Sequence, residues 1–393
     1  LFSDTAVVEA LEAAGMSREH ARDYAVIGCV EMASQGRTYN SSDAALFNLP
    51  LCLELALNEG RRFPKPGRSE RRSRMGAPTP PVSRMKSFDD VVEAFRAQVR
   101  DSVDEMARVI GWLEKVYRVH RPTPINSMLT QGCLETGKDV TWGGGMYDFT
   151  SIQAAGLASA GNSLFAIKRL VFDERRMSLE ELVRVLKDDW RDHESLRAEA
   201  GRKFAKYGNG DAEADAMTQV AADTFADAVR SRRNSRGGRY IPGFYSMTCH
   251  IGFGRITGAL PDGRKAGERL SNGLAPVDGT ELAGPTAVLR SAACLDSRKW
   301  GNCCALNLKF DKPVVQGEKG RDVLAGLFNA YFELGGMQVQ VNVLDADELR
   351  AARDDPTLYP DLVVRVAGYC AYFNDLQSAV KDEIIERTSH GMG

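Results

Sequence analysis

The sequence has little of what membrane proteins, secreted proteins and basic nucleic-acid binders need. No apolar run approaches the roughly 18 to 20 residues that span a bilayer. The N-terminal residues lack the basic start and apolar core of a signal peptide. Lysine and arginine number 51 and aspartate and glutamate 53, so the formal net charge is only −2. We therefore expect a cytoplasmic protein that binds neither membranes nor nucleic acid.

Patterns for disulfides, zinc and phosphate are also missing. The eight cysteines are spread along 393 residues without a Cys-x-x-Cys pair, and only five histidines are present. A disulfide framework or a zinc site needs closer spacing, so we expect reduced thiols. The glycine-rich stretch 141–145 lacks the Lys-Ser/Thr ending of a P-loop and is predicted to be a turn.

The chain is long enough to bury a large core. Its 393 residues, 43% of them apolar, would suffice for two or three ordinary domains. It begins with Leu1 instead of Met, which suggests that a longer chain was cut there. Between Arg61 and Lys86 lie seven arginines and one acid, Glu70. We favour an exposed loop for this stretch over a phosphate-binding segment.

Hydrophobic periodicity predicts helices alternating with strands. Helices are expected at 7–14, 18–24, 43–58, 87–117, 179–205 and 378–387, and strands at 337–344 and 362–366. Ser17 is the predicted N-cap of the second helix. In the strand at 337–344, apolar residues alternate with Gln338, Gln340 and Asn342, so one face is apolar and the other carries amides. Alternating helices and strands indicate an α/β fold.

The segment Gly28-Cys29-Val30-Glu31 is the first candidate for chemistry. Residues two apart in an extended chain point the same way, so the Cys29 thiol and the Glu31 carboxylate would face one cavity. That pair suits a nucleophile or hydrogen carrier beside a general base. The alternative is a structural role, since a free cysteine is usually a small buried hydrophobe.

The second candidate is Gly368, at a loop tip where a predicted strand ends. The ordinary explanation for a glycine there is a turn that requires positive φ. Glycine has a further property, because its Cα–H lies between two peptide groups. A carbon radical at that atom is delocalised in both directions, and no side chain crowds the planar centre.

Together these segments resemble the glycyl radical enzymes, the superfamily of pyruvate formate-lyase, glycerol and diol dehydratases and choline trimethylamine-lyase. Residues 364–373 and 383–388 are similar to the C-terminal glycyl radical motif, and 28–31 to the thiyl loop. Further matching segments lie at 207–209, 257–264, 284–287 and 338–342. The resemblance implies that Gly368 stores the radical, Cys29 becomes the thiyl that abstracts hydrogen from substrate, and Glu31 is the general base.

The resemblance also implies an architecture. Members of this superfamily have a ten-stranded α/β barrel in two antiparallel halves, surrounded by helices, with the two radical loops meeting at its centre. Their chains are about twice as long, so this chain would supply the C-terminal half. We expect residues 1–265 to form the thiyl-loop and helical part of the barrel domain, and 266–393 the glycyl radical domain.

The implied cofactor is the protein radical itself, with no bound metal. A separate radical S-adenosylmethionine activating enzyme with a 4Fe–4S cluster would install it at Gly368, after the C-terminal segment opens. The other implied partners are a small-molecule substrate and, for the full-length protein, a second copy in a homodimer. The implied location is the cytoplasm or a bacterial microcompartment.

The thiyl loop indicates which branch of the superfamily is most similar. Pyruvate formate-lyase has two adjacent cysteines there, whereas Cys29 is followed by Val30. Glu31 is instead similar to the dehydratase, C–N lyase and decarboxylase branch. Asp43 resembles a substrate-contacting aspartate of the diol dehydratases, with a helix N-cap as the alternative. Met32 and Asn162 depart from those dehydratases, which often carry Pro and Asp at these places.

The predicted reaction is radical elimination from a small polar substrate, of the dehydratase, C–N or C–S lyase, or decarboxylase type. Two alternatives stay open. The first is formate C-acetyltransferase activity, against which the lone Cys29 argues. The second is a catalytically incomplete fragment, since half of a barrel cannot enclose a substrate.

Overall fold

The computed structural model describes residues 1–64, 74–387 and 389–390. The predicted loop at 61–86 is therefore described at its two ends, while Arg68, Arg71 and Arg72 lie outside the described residues. Thr388, the last residue of the glycyl radical motif, lies outside them as well.

The described part of the chain contains fifteen α-helices and ten strands. The first half contains α1 (Asp4–Ala13), α2 (Arg18–Arg22), β1 (Tyr24–Ile27), β2 (Glu31–Ser34), β3 (Thr38–Asn48), α3 (Leu49–Ala56), α4 (Phe88–His120), α5 (Pro124–Met128), α6 (Cys133–Thr136), β4 (Tyr147–Ala155), α7 (Leu157–Ile167), α8 (Leu179–Lys187) and α9 (Glu194–Arg202). The second half contains α10 (Ala212–Arg230), β5 (Arg239–Gly243), α11 (Cys249–Ile256), α12 (Gly284–Ala293), β6 (Asn307–Phe310), α13 (Gly317–Glu333), β7 (Gln340–Val343), α14 (Ala346–Asp354), β8 (Val363–Arg365), β9 (Cys370–Tyr372), α15 (Ser378–Glu386) and β10 (Ser389–His390).

Two three-stranded parallel sheets form the framework. Their strand orders are β3-β4-β5 and β10-β6-β7. A parallel bridge between Phe244 and Cys304 connects the end of β5 to the segment that leads into β6. Helices lie between successive parallel strands along the chain, as parallel pairing requires. The predicted α/β class is confirmed, and the closed ten-stranded barrel stays a prediction.

The long helix α4 begins where the sequence predicts and extends to His120. The hydroxyl of Ser87 accepts the backbone N–H of Asp90, whose carboxylate accepts the N–H of Ser87. This reciprocal capping satisfies donors that a helix start leaves open. Val92, Phe95 and Val99 form part of its buried face, with the spacing of an amphipathic helix.

The predicted helix at 43–58 is wrong in its first six residues. The chain at Thr38–Asn48 is instead β3, which pairs in parallel with β4. The helix begins at Leu49, with Asn48 as its cap and Pro50 in its first turn. Proline is tolerated there because the N–H groups of the first turn have no partner within the helix, so the missing N–H of proline costs no hydrogen bond. Asp43 therefore lies in a strand and is not a helix cap.

Two other helix predictions need shorter bounds. The helix predicted at 18–24 ends at Arg22, and Ser17 caps it as expected. The single helix predicted at 179–205 is divided into α8 and α9. Asp189, Trp190 and Asp192 between them have positive φ, and Trp190 is fully buried. Burial of this large side chain stabilises the break that the periodicity conceals.

The apolar core has two parts. The larger packs the helices against both parallel sheets and extends along the chain from Ala6 to Val339. The smaller is a separate C-terminal cluster of nine buried residues: Leu344, Leu349, Ala352, Val364, Val366, Phe373, Val380, Ile384 and Ile385. It unites α14, α15 and the β8–β9 hairpin, so the segment that carries Gly368 has a core of its own.

A buried ion cluster fastens α4 to the central sheet. The Arg236 guanidinium lies 2.7 Å from Glu114 of α4 and 2.8 Å from Asp148 of β4. All three side chains are at most 8% exposed. Such a cluster is stable only while every charge keeps its partner.

Replacement of this arginine should therefore be costly. Arg236→Met leaves two buried carboxylates without a counter-charge, and we expect the free energy of unfolding in urea to fall by about 3–5 kcal/mol. Arg108, paired with Glu105 on the exposed face of α4, is the control. Arg108→Met should leave the urea midpoint unchanged, because exposed pairs contribute little. Equal losses in the two variants would contradict the prediction.

Candidate active site

Cys29 lies in the tight turn that joins β1 to β2. The two strands pair antiparallel up to Ile27 and Glu31. Gly28 opens the turn with φ +60°, and a Cβ there would lie 2.7 Å from Glu31 Oε1. Glycine is thus required both by the backbone conformation and by the carboxylate beneath it.

Glu31 folds back under this turn. Its Oε2 accepts the backbone N–H groups of Cys29 at 2.6 Å and Val30 at 2.7 Å. Its Oε1 accepts the Ser42 hydroxyl at 3.3 Å, and the side chain is 3% exposed. The chain at Cys29 is a turn and not the extended backbone of the prediction, and the Glu31 carboxylate contacts the backbone of the residue that carries the thiol. The carboxylate also shapes the loop that carries the thiol.

Gly368 occupies the loop of the β8–β9 hairpin and meets Cys29 directly. Its φ is +88°. A Cβ built on it would lie 2.3 Å from Cys29 Cβ and 2.9 Å from Cys29 Sγ. Because real Cβ atoms do not approach so closely, only a residue without a side chain can occupy this position. The two loops that the sequence singles out are in contact.

The amides of β7 hold the glycine loop. Gln340 Oε1 accepts the N–H of Gly368 at 2.9 Å and Arg365 Nε at 2.6 Å. Asn342 exchanges two hydrogen bonds with the backbone of Arg365, at 2.8 and 2.9 Å. Both amides are buried, and on the apolar face Val339 is buried while Val343 is 37% exposed. The sequence shows the alternation of amides with apolar residues but not that the amides hold the glycine loop. Amides on a buried strand nevertheless indicate that they have specific hydrogen-bond partners.

A buried ion pair holds the same loop from the other side. Arg387 donates to the carbonyls of Arg365 at 3.1 Å and Val366 at 2.5 Å, and to Glu383 at 2.9 Å. Glu383 in turn accepts the Asn272 amide at 3.3 Å. Burial opposes ionisation of Glu383, but the charges of Arg387 and His250, together with the hydrogen bonds from Arg387 and Asn272, outweigh it and lower the pKa of the carboxyl. Sequence reasoning did not identify this pair as part of the site.

Asp43 lies at a bulge in β3, beside Glu31. The register between β3 and β4 shifts between Ser41 and Ala45. The carbonyl of Ser42 accepts Gln153 Nε2 at 2.6 Å and Asn302 Nδ2 at 2.7 Å, which stabilises the bulge. Burial and the nearby Glu31 charge raise the pKa of Asp43. Bulges commonly aim side chains toward active sites.

The environment of Cys29 favours the protonated thiol. Partial burial, followed by the charges of Glu31 and Asp43, raises the pKa of Cys29, and Arg365 opposes the shift only in part. A raised pKa leaves little of the cysteine as thiolate, which is its nucleophilic form. It preserves the S–H bond, the form from which a hydrogen atom can be taken.

All eight cysteines are free thiols. Within residues 1–64, 74–387 and 389–390, no helix has the length and apolar character needed to traverse a bilayer. The same residues contain no group of three or more His, Cys, Asp or Glu side chains arranged to hold a metal ion.

The cysteine loop of the β1–β2 hairpin and the glycine loop of the β8–β9 hairpin meet, the arrangement that the resemblance to the glycyl radical enzymes implies. The Pyruvate formate lyase-like family profile matches residues 1–254, and the Glycine radical profile matches residues 270–374. The chain belongs to the pyruvate formate lyase-like family of glycyl radical enzymes.

Individual relatives agree with this assignment. The chain is 36% identical to (2S)-3-sulfopropanediol dehydratase of Klebsiella oxytoca, over 99% of this chain and 47% of the relative. It is 36% identical to trans-4-hydroxy-L-proline dehydratase of Clostridioides difficile, over 98% of this chain and 48% of the relative. The glycerol-bound B12-independent glycerol dehydratase of Clostridium butyricum superposes with a TM-score of 0.95 at 36% identity, over 100% of this chain and 49% of that one. The chain therefore spans about half the length of these relatives.

The contact between the two loops predicts a strong intolerance of a side chain at Gly368. Gly368→Ala adds both a clash with Cys29 and the strain of positive φ. Gly237 is a matched control, because its φ is +92° and a Cβ there would meet nothing within 4 Å. We expect Gly237→Ala to lower the free energy of unfolding by about 1 kcal/mol. Gly368→Ala should cost roughly 1–3 kcal/mol more, and equal losses in urea titrations would refute the close contact.

The Glu31 charge predicts the pH dependence of Cys29 alkylation. The thiol should react with iodoacetamide only at pH values above those of an ordinary cysteine, whose pKa is about 8.5. Glu31→Gln removes a negative charge and should shift the profile to lower pH, as followed by peptide mass spectrometry.

Glu54 provides the control for that experiment. It is also buried and accepts backbone N–H groups, from Phe63 at 2.6 Å and Gly258 at 2.7 Å. It is not among the groups that shift the pKa of Cys29. Glu54→Gln should therefore leave the Cys29 profile unchanged. A profile that does not respond to Glu31→Gln would show that the charge does not control the thiol.

Proposed function

We propose that the chain carries the radical machinery of an elimination enzyme, with Gly368 as the site of the stored radical, Cys29 as the hydrogen-atom carrier and Glu31 as the general base. The observation that carries this proposal is the contact between Gly368 and Cys29, where a Cβ on the glycine would lie 2.9 Å from the sulfur. Hydrogen-atom transfer needs such proximity.

The proposed cycle balances without an external oxidant. The Gly368 Cα radical takes the hydrogen atom of the Cys29 S–H bond and leaves a thiyl radical. The thiyl takes a hydrogen atom from a substrate carbon, which restores S–H. The substrate radical loses its leaving group as Glu31 accepts a proton from the substrate, and Glu31 passes that proton to the departing group, which leaves a diol as water. The product radical takes back the hydrogen atom from Cys29, and the resulting thiyl takes the Gly368 Cα hydrogen, which restores the glycyl radical and the thiol. The raised pKa of Cys29 supports this cycle, because the thiol must keep its hydrogen until a radical takes it.

The substrate class follows from the acidic lining. Glu31 and Asp43 suit a small molecule with hydroxyl groups or a positive charge near the leaving group. The relatives named for glycerol, hydroxyproline and sulfopropanediol act on molecules that bear hydroxyl groups, which supports dehydration as the reaction. We propose Asp43 as a contact of such a hydroxyl group. A lyase that expels an amine or sulfite, or a decarboxylase, would use the same radical steps.

Activation and location complete the proposal. A separate radical S-adenosylmethionine enzyme with a 4Fe–4S cluster would remove the Gly368 hydrogen atom, and its access requires the C-terminal cluster to separate from the larger core. We keep residues 266–393 as the glycyl radical domain and 1–265 as the thiyl-loop part. The complete enzyme would be a homodimer in the cytoplasm or a microcompartment.

Acetyl transfer is less well supported. The residue after Cys29 is Val30, whose side chain is fully buried and cannot carry an acyl group. We therefore rank formate C-acetyltransferase activity below elimination.

Turnover would also need the half of the fold that this chain does not span. Large apolar side chains are exposed along this part of the chain. Trp112 of α4 is 67% exposed, Ile125 of α5 is 75% exposed and Leu129, the residue after α5, is 73% exposed. Large apolar side chains this exposed are typical of interfaces. Asp43 is also exposed, so the described residues do not enclose a substrate at its carboxylate. These observations support a requirement for a complementary polypeptide.

The test is electron paramagnetic resonance after anaerobic incubation with a radical S-adenosylmethionine activating enzyme, S-adenosylmethionine and a one-electron reductant. We expect a doublet from the single α-hydrogen of Gly368, absent in Gly368→Ala. Cys29→Ser should retain the doublet and, in the presence of the complementary polypeptide, lose all turnover of glycerol, propane-1,2-diol and hydroxyproline. A doublet that persists in Gly368→Ala would refute the radical assignment.

Turnover by different preparations separates the remaining possibilities. Activity of this chain alone would refute the need for a complementary half. Formate production that depends on coenzyme A would favour acetyl transfer over elimination.

A further inference from the structure

We propose that Gln340 is a positioning residue for the radical: its side-chain carbonyl, as acceptor of the Gly368 N–H, sets how the unpaired electron is shared between Cα and the amide nitrogen. This inference rests on the proposed radical at Gly368. It concerns a residue that touches the glycine backbone and neither the thiol nor the substrate.

The geometry makes Gln340 Oε1 an acceptor with a fixed place. The oxygen lies 2.9 Å from the nitrogen of Gly368 and 2.6 Å from Arg365 Nε. Both donors belong to the glycine loop, so a single oxygen holds the loop at its tip and near its base. The side chain is 5% exposed, which limits the access of water to the acceptor.

The support behind the oxygen is rigid. Gln340 begins β7, whose backbone pairs with Asn307 of β6 in the parallel sheet. Asn342, two residues further on the same face, fixes the backbone of Arg365 through both its amide atoms. The loop therefore cannot move away from Gln340 Oε1 without breaking these bonds as well.

Gln340 has the further property that its Nε2 has no hydrogen-bond partner within the described residues, although it is buried. An unpaired buried donor is costly. An apolar side chain here would avoid that cost. A need for the side-chain carbonyl as acceptor explains why the residue is an amide.

The effect on the radical follows from its electronic structure. The amide nitrogen next to the radical carbon donates electron density into the half-filled orbital, and this makes the N–H more acidic. An acceptor on that N–H strengthens the donation and moves spin from Cα onto nitrogen. Loss of the acceptor should therefore raise the spin density at Cα and shorten the life of the radical.

The experiment compares Gln340→Leu with a matched control in the activated protein. Gln338 lies on the same buried face of the same segment and accepts the N–H of Leu306 at 3.1 Å, away from Gly368. Gln340→Leu should give a larger α-hydrogen splitting in the doublet. Its half-life under anaerobic conditions should be about fivefold shorter, which corresponds to ~1 kcal/mol for one hydrogen bond. Gln338→Leu should show the wild-type splitting and half-life, although it also loses a buried acceptor.

Amide hydrogen exchange of the unactivated chain provides a second measurement. Protection of the Gly368 amide should fall in Gln340→Leu and persist in Gln338→Leu. A doublet with the wild-type splitting and half-life in Gln340→Leu overturns the inference and leaves the radical assignment standing. If the wild-type chain gives no doublet, the proposed function fails, and equal Gly368 protection in the two variants then overturns the inference as well.

Discussion

The close approach of Gly368 to Cys29 is the constraint on which the rest of the structure depends. A glycine with positive φ and no space for a Cβ is placed against the one thiol that begins a catalytic loop. Such proximity is not stable by itself, because Gly368 contributes no side chain to the contact. The surrounding structure must hold both loops by other means.

Those means are polar and differ for the two loops. The cysteine loop is held from beneath by the Glu31 carboxylate, which accepts two of its backbone N–H groups. The glycine loop is held between the amides of β7 and the Arg387 guanidinium. Every one of these side chains is buried, and buried polar groups are specific because an unmade bond is expensive. The fold therefore contributes directed hydrogen bonds at the site and apolar packing elsewhere.

The separation of the two apolar cores bears on how an activating enzyme would reach the glycine loop. The C-terminal cluster contains Val364 and Val366, which flank the glycine loop, and it is separate from the larger core. The contact of Glu383 with Asn272 is one polar link between the two. A unit with its own core can move as a body where its interface with the rest of the protein is small or polar.

Some of this could be predicted from local chemistry in the sequence. The turn at Gly28, the thiol and carboxylate two residues apart and the capped helix at Ser87 all depend on neighbours along the chain. Their geometry is a property of a few consecutive residues, so the sequence alone indicated the site and the α/β class. The family resemblance placed Gly368 and Cys29 in one mechanism, and the structure places them in contact.

Only the tertiary structure decided the features that depend on residues far apart in the sequence. Residues 43–48 have the periodicity of a helix and form a strand, because β4 pairs with them across about a hundred residues of chain. The amides of β7 and the Glu383–Arg387 pair lie in segments that resemble family motifs, but the sequence does not show that they hold the glycine loop. Their role depends on packing between elements, where burial and a fixed partner overrule the preferences that a short stretch of sequence expresses.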